Sequence, residues 1–121
     1  MYKYYNANSL GKFTNDCTIR AISLAENETW DTTYNRLSDR AQIYGTMMDD
    51  RRFVRDYLDS KYKRVPYLPY TVGEVAGEYP DKVLLITMDG HIVCSVYGIV
   101  YDSFDCRKRI AEDAWIVEKR P

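Results

Sequence analysis

Three side chains in the sequence are of the types that together carry out nucleophilic acyl transfer. Cys17 can attack a carbonyl as a thiolate, His91 can take up and return its proton, and Asp102 can hold the imidazole in place. His91 is the only histidine among the 121 residues, so it must serve every step that needs an imidazole. A metal site built from several histidines is therefore excluded, and we expect neither a metal nor a cofactor.

Cys17 is predicted to lie in the first turn of a helix that runs from Asn15 to about Glu26. Ile19 and Ile22 fall on one helical face, and Asp16 is a residue type that caps helices. The positive end of a helix dipole stabilises a thiolate, and the unpaired backbone N–H of the first turn can hold a developing oxyanion. The sequence therefore predicts a reactive thiol and an oxyanion donor at one place.

His91 and Asp102 are predicted to meet on two strands of a hairpin. If Tyr97 and Gly98 form a two-residue turn, His91 lies opposite Phe104 and Asp102 lies one diagonal position away on the same face. The carboxylate could then accept a hydrogen bond from one imidazole nitrogen and leave the other nitrogen for the thiol.

The rest of the pattern predicts helices first and strands afterwards. Helical spacing of apolar residues and a capping box predict three further helices: Trp30–Tyr44, Asp49–Lys61 and a short one that opens at Thr71–Glu74 and ends before Pro80. Alternating and β-branched residues predict four strands: Val83–Met88, His91–Tyr97, Ile99–Phe104 and Trp115–Glu118. Two segments are expected to be extended connections, Met1–Thr14 as an arm or loop and Lys63–Tyr70 as an edge strand or link. We expect one α+β domain over residues 1–121, with N-terminal helices packed on a C-terminal antiparallel sheet.

Three short motifs resemble a known superfamily. The stretch Asn15-Asp16-Cys17-Thr18-Ile19-Arg20-Ala21-Ile22 at a helix start is followed by Gly90-His91 on one strand and by Val100-Tyr101-Asp102-Ser103 on the next. This order resembles the small bacterial and bacteriophage proteins of the papain-like cysteine peptidase superfamily. The resemblance implies a papain-like fold in which Cys17 is the nucleophile, His91 the general base and acid, and Asp102 the orienting carboxylate.

The oxyanion-hole side chain departs from that superfamily's pattern. The usual glutamine upstream of the nucleophile has no counterpart, because the only glutamine is Gln42. Asn15, Asn8 and Asn6 are the candidates to replace it, and Asn15 is favoured because it lies closest to Cys17.

Composition narrows the function classes. Seventeen basic against 18 acidic residues give a net charge of −1, which offers no electrostatic footprint for nucleic acid. The longest apolar run, Val83–Ile86, is far shorter than the ~20 residues that cross a bilayer, so we expect no membrane association. Three widely spaced cysteines do not form a disulfide framework, which predicts free thiols and a cytoplasmic location.

Three alternatives remain open at this stage. Cys94 is expected to be a core thiol and Cys106 a more exposed one beside cations, where a redox role is conceivable. The two could instead join Cys17 and His91 in a zinc site, although His91 and Cys94 alternate to opposite faces of a strand.

The protein is predicted to be a thiol-dependent hydrolase or acyl-transferase that acts on a peptide, isopeptide or amide bond of a peptide or protein substrate. The alternative is a noncatalytic papain-like interaction protein, for example a bacteriophage product that binds and inhibits a host factor. The tyrosine clusters of this protein would then form the interface.

Overall fold

The computed structural model describes residues 1–12, 14–68 and 70–117, and within them the chain forms four helices and six strands. The helices are α1 (Cys17–Ala25), α2 (Trp30–Ile43), α3 (Arg51–Lys61) and α4 (Val72–Glu78). The strands are β1 (Tyr2–Tyr4), β2 (Lys63–Arg64), β3 (Val83–Met88), β4 (His91–Val96), β5 (Ile99–Asp102) and β6 (Asp113–Val117). This arrangement confirms the α+β class. Pro69 and Glu118, which fall in a predicted link and a predicted strand, lie outside the described residues.

The strands form one mixed sheet in the order β1-β5-β4-β3-β6-β2. The prediction of an antiparallel sheet is wrong at one edge, because β1 pairs in parallel with β5, Tyr2 lying opposite Val100 and Tyr4 opposite Asp102. The predicted arm therefore contains a strand. Three residues are too few to show an alternating pattern, and the partner strand lies almost a hundred residues further along the chain.

Local signals place the helix ends close to where the sequence predicts them. The Asp50 carboxylate accepts hydrogen bonds from the backbone of Arg52 and Phe53 at the start of α3. Thr71 and Glu74 form the predicted capping box at the start of α4. The helix α1 is different, because the carboxylate of its N-cap residue, Asp16, bonds to other side chains.

The sheet buries apolar side chains on both faces. The helices α1, α2 and α3 cover one face, and α4 covers the other, so the central strand β3 alternates between two cores. Leu85 packs in the first core with Ile22 and Trp115, whereas Leu84 packs in the second with Val72. Cys94 is fully buried in the first core, which confirms its prediction as a core thiol.

The hairpin between β4 and β5 has the predicted register. Tyr97 and Gly98 both have positive φ, 52° and 84°, as a two-residue turn of the type common in hairpins requires. Val96 lies opposite Ile99, and the His91 ring contacts the Phe104 ring at 4.8 Å between centroids. The turn therefore fixes which residues face His91.

The described part of the chain contains no helix long and apolar enough to cross a membrane.

Candidate active site

Cys17, His91 and Asp102 come together where the start of α1 meets the ends of two strands. His91 is the first residue of β4, Asp102 is the last of β5, and His91 Nε2 lies 2.5 Å from Asp102 Oδ2. Cys17 and His91 line the same two cavities, and each shifts the pKa of the other. Because Nε2 faces the carboxylate, Nδ1 is the nitrogen left for the sulfur. The three predicted site residues thus lie at one place in the fold.

The contacts of the thiol and the imidazole shift both groups toward an ion pair. Burial by itself would raise the pKa of Cys17, but the nearby imidazole of His91, the backbone N–H of Ile92 and the charge of Arg20 together lower it. Burial would likewise lower the pKa of His91, yet the hydrogen bond to Asp102 and the nearby Cys17 raise it to about 9. With the thiol more acidic than usual and the imidazole more basic, the shared proton is favoured on the imidazole.

Hydrogen bonds fix both the side chain and the backbone of Asp102. Its Oδ1 accepts a 3.2 Å bond from Arg20 and a 2.7 Å bond from its neighbour's backbone N–H, at Ser103. Its backbone carbonyl accepts from the N–H of Tyr5 at 2.8 Å and from the hydroxyl of Tyr2 at 3.0 Å. The carboxylate is only 3% exposed, so these contacts fix its orientation toward His91.

Arg20 and Asp16 belong to this site although the sequence did not single them out for it. Arg20 is buried one turn after Cys17 on α1, and its guanidinium bridges Asp16 and Asp102. Asp16 also accepts a 2.8 Å bond from the indole N–H of Trp30. The spacing of four residues between Asp16 and Arg20 on a largely apolar helix is the one signal that could have indicated a pair there. Arg20 thus ties the helix that carries the thiol to the strand that carries Asp102.

Asn15 is the best placed of the three candidates for the oxyanion side chain. It is exposed and lines the same groove as Cys17 and His91. Among residues 1–12, 14–68 and 70–117, the side-chain amide of Asn15 forms no hydrogen bond with another residue. Asn6 instead donates to the carbonyl of Lys12 at 3.0 Å, and Asn8 donates to Asp16 at 3.4 Å, so both amides are used within the N-terminal loop.

Cys106 is not exposed, contrary to the prediction from its charged neighbours. It is 1% exposed, and its Sγ lies 4.0 Å from Asp102 Oδ2. Burial, followed by the charge of Asp102, raises the pKa of Cys106 to about 12, so it remains a neutral thiol. Asp105 and Arg107 pair with each other at the surface while the cysteine between them turns into the α4-side core.

The proposed four-ligand zinc site does not form among the described residues. His91, Asp102 and Cys106 have ligand atoms within 4.8 Å of one another, but Cys94 and Cys17 are not in that group. His91 and Asp102 are already in mutual hydrogen-bond contact, and Arg20 places a positive charge on the same carboxylate. The arrangement thus favours a proton between these groups over a metal cation.

The thiol lies in an open groove. Cys17, His91 and Asn15 line a cavity of about 150 Å³ on one side, which continues toward Arg51 and Thr87. The same three residues line a second cavity of about 350 Å³ on the other side. An extended substrate could therefore cross the sulfur with a segment on each side of it.

Comparison with known proteins adds no assignment to this geometry. No family model, curated protein or solved structure matches the chain. The papain-like resemblance accordingly stays a prediction that rests on the three short sequence motifs.

Proposed function

We propose that the protein is a cysteine hydrolase or acyl-transferase that acts on a peptide, isopeptide or amide bond. The observation that carries the proposal is the position of His91, which lines the same cavities as the Cys17 thiol, lowers the pKa of that thiol, and is in hydrogen-bond contact with a buried carboxylate. A histidine oriented in this way can take the proton of a nucleophile and deliver it to a leaving group. The three free thiols favour a reducing compartment as the place of action.

The first half of the reaction forms a thioester. The Cys17 thiolate attacks the carbonyl carbon, a C–S bond forms, and the carbonyl oxygen becomes an oxyanion. The backbone N–H of Cys17, in the first turn of α1, and the amide of Asn15 donate hydrogen bonds to that oxyanion. His91 then gives its proton to the leaving nitrogen as the C–N bond breaks and the amine departs.

The second half of the reaction releases the acyl group. His91, now neutral, takes a proton from water as the water oxygen attacks the thioester carbonyl. The C–S bond breaks, the acid leaves, and the thiolate and imidazolium are restored. If an amine enters in place of water, the same steps transfer the acyl group to that amine. The groove next to Cys17 determines which acceptor can reach the thioester.

The proposal is tested with p-nitrophenyl acetate, a small acyl donor that needs no matched pocket. We expect a burst of p-nitrophenol and a mass increase of one acetyl group on Cys17, followed by slow turnover. Cys17→Ala should remove both signals, and His91→Ala should slow acylation by about 10²–10⁴-fold because proton transfer is lost.

Iodoacetamide supplies the complementary measurement, since alkylation needs only the thiolate. At about pH 6 Cys17 should react faster than glutathione, whereas buried Cys94 and Cys106 serve as internal controls that should react slowly. If Cys17 reacts no faster than glutathione and is not acetylated, the enzymatic proposal is wrong. The noncatalytic binding protein would then be the better account.

A further inference from the structure

A largely apolar hollow adjoins the groove that contains Cys17. It has a volume of about 450 Å³ and lies between the N-terminal loop, the starts of α1 and α2, and the segment before α3. Its apolar lining consists of Leu10, Ile19, Trp30, Tyr34, Met47 and Met48. Leu10 and Met47 are exposed over 75% and 70% of their surface, so the hollow opens to solvent.

The hollow and the thiol groove are continuous. Asn15, Thr18 and Asp49 line both the hollow and the cavity that contains Cys17 and His91. Asn15 also lies two residues before the nucleophile. A chain bound across the sulfur could therefore place a neighbouring side chain in the hollow without leaving the protein surface.

The aromatic wall of the hollow is fixed in place. The indole N–H of Trp30 donates to Asp16, and the Trp30 ring stacks on Tyr34 at 5.1 Å between centroids with an angle of 24°. Asp16 is in turn paired with Arg20, so it is not free to bind a cationic ligand. A rigid aromatic wall with methionine and leucine side chains around it suits an apolar group, because binding costs little rearrangement.

We propose that this hollow is a substrate pocket that selects an apolar side chain, leucine-like or aromatic, next to the bond attacked by Cys17. The inference rests on the proposed function, since only a peptide-like substrate at the thiol would bring a side chain there. It adds the substrate class: peptides or proteins with an apolar residue close to the reacting carbonyl. An apolar side chain should be preferred to a polar one of similar size by about 10-fold or more.

The test uses short peptides that carry a C-terminal vinyl sulfone to trap the thiol. One series varies the residue next to the electrophile and a second varies the residue before it, with leucine, phenylalanine, asparagine, aspartate or lysine at the varied position. The second-order rate of Cys17 modification is followed by intact mass. In one series, leucine and phenylalanine should react about 10-fold or more faster than asparagine.

Variants locate that preference in the hollow. Leu10→Gln and Met47→Gln, both exposed positions, should reduce the leucine-to-asparagine ratio several-fold. Ile43→Gln is the matched control, because Ile43 is equally exposed but lies outside the hollow, and it should leave the ratio unchanged.

Iodoacetamide separates failure of this inference from failure of the proposed function. Suppose that iodoacetamide alkylates Cys17 rapidly but apolar and polar peptides react at equal rates, or no peptide reacts. Either result would refute the substrate pocket while leaving the reactivity of the thiol supported. A preference that survives Leu10→Gln and Met47→Gln unchanged would also overturn it. Slow alkylation of Cys17 by iodoacetamide together with no acetylation by p-nitrophenyl acetate would instead refute the proposed function.

Discussion

Replacing Arg20 by glutamine should affect both the stability of the fold and the acidity of Cys17. The Arg20 guanidinium lies between Asp16 and Asp102, whose side chains are only 4% and 3% exposed. Glutamine removes the positive charge and leaves two buried carboxylates without their cation. Breaking a buried ion pair by removing one partner costs about 3–5 kcal/mol in the free energy of unfolding. For a chain of this length that corresponds to a fall in Tm of roughly 10–20 °C.

The same substitution should raise the pKa of the Cys17 thiol. Arg20 contributes to lowering the pKa of Cys17, and it also holds Asp102 in the orientation that supports His91. Without it, we expect the rate of Cys17 alkylation to rise only at higher pH than in the wild type. Arg20→Lys keeps the positive charge but loses the planar guanidinium that reaches both carboxylates. It should therefore restore part of the free energy of unfolding and bring the pKa of Cys17 most of the way back to the wild-type value.

Arg36→Gln is the matched control. Arg36 pairs with buried Glu26 at the end of α1, which lies about 13 Å along the helix axis from Cys17. Its loss should reduce the free energy of unfolding and leave the titration of Cys17 unchanged. Urea unfolding measures the first quantity, and the pH dependence of iodoacetamide labelling measures the second. A stability loss below about 1 kcal/mol in Arg20→Gln, or an alkylation profile that superimposes on the wild type, would refute this reasoning.

Two further predictions concern the proton and the oxyanion. Alkylation of wild-type Cys17 should rise with pH in a first step below the free-thiol pKa of about 8.5, where the thiolate forms beside an imidazole that is already protonated, and change again near pH 9 as His91 loses its proton. His91→Ala should abolish the first step. A single step at the free-thiol pKa would contradict the ion pair. Asn15→Ala should slow acetylation of Cys17 by p-nitrophenyl acetate by about 10²–10³-fold and leave alkylation unchanged, because alkylation develops no oxyanion. Asn6→Ala, whose amide is used within the loop, is the control that should change neither rate; equal acetylation of Asn15→Ala and the wild type would remove Asn15 from the mechanism.

The parts of the site that depend on local geometry could be predicted from the sequence. The Tyr97-Gly98 turn fixes the hairpin register, because each side chain's face follows from its distance to the turn. The helix start at Cys17 likewise follows from the local spacing of apolar residues, although the Asp16 side chain does not cap the helix. Both predictions needed only neighbouring residues, which is why His91 and Asp102 could be placed on one face.

The partners of Asp102 could not be predicted, because they depend on contacts far apart in the chain. Arg20 and Asp102 are separated by 82 positions, and a charged pair near a helix start is typical of a capped, solvated end. Cys106 illustrates the same limit. Its neighbours Asp105 and Arg107 are charged and exposed, but adjacency in sequence does not tell which way the side chain between them turns.

The segment that begins with strand β1 contributes to the orientation of the imidazole. Tyr2 and Tyr5 bond to the backbone carbonyl of Asp102, while Arg20 bonds to Oδ1 of its carboxylate. With the backbone and one oxygen held in this way, Oδ2 remains for Nε2 of His91. The orientation of the imidazole therefore depends on the first five residues of the chain and on a buried arginine beneath the thiol. These supports lie within the first 20 residues, whereas His91 and Asp102 lie in the C-terminal part of the chain, so the orientation of the imidazole depends on contacts between segments far apart in the sequence.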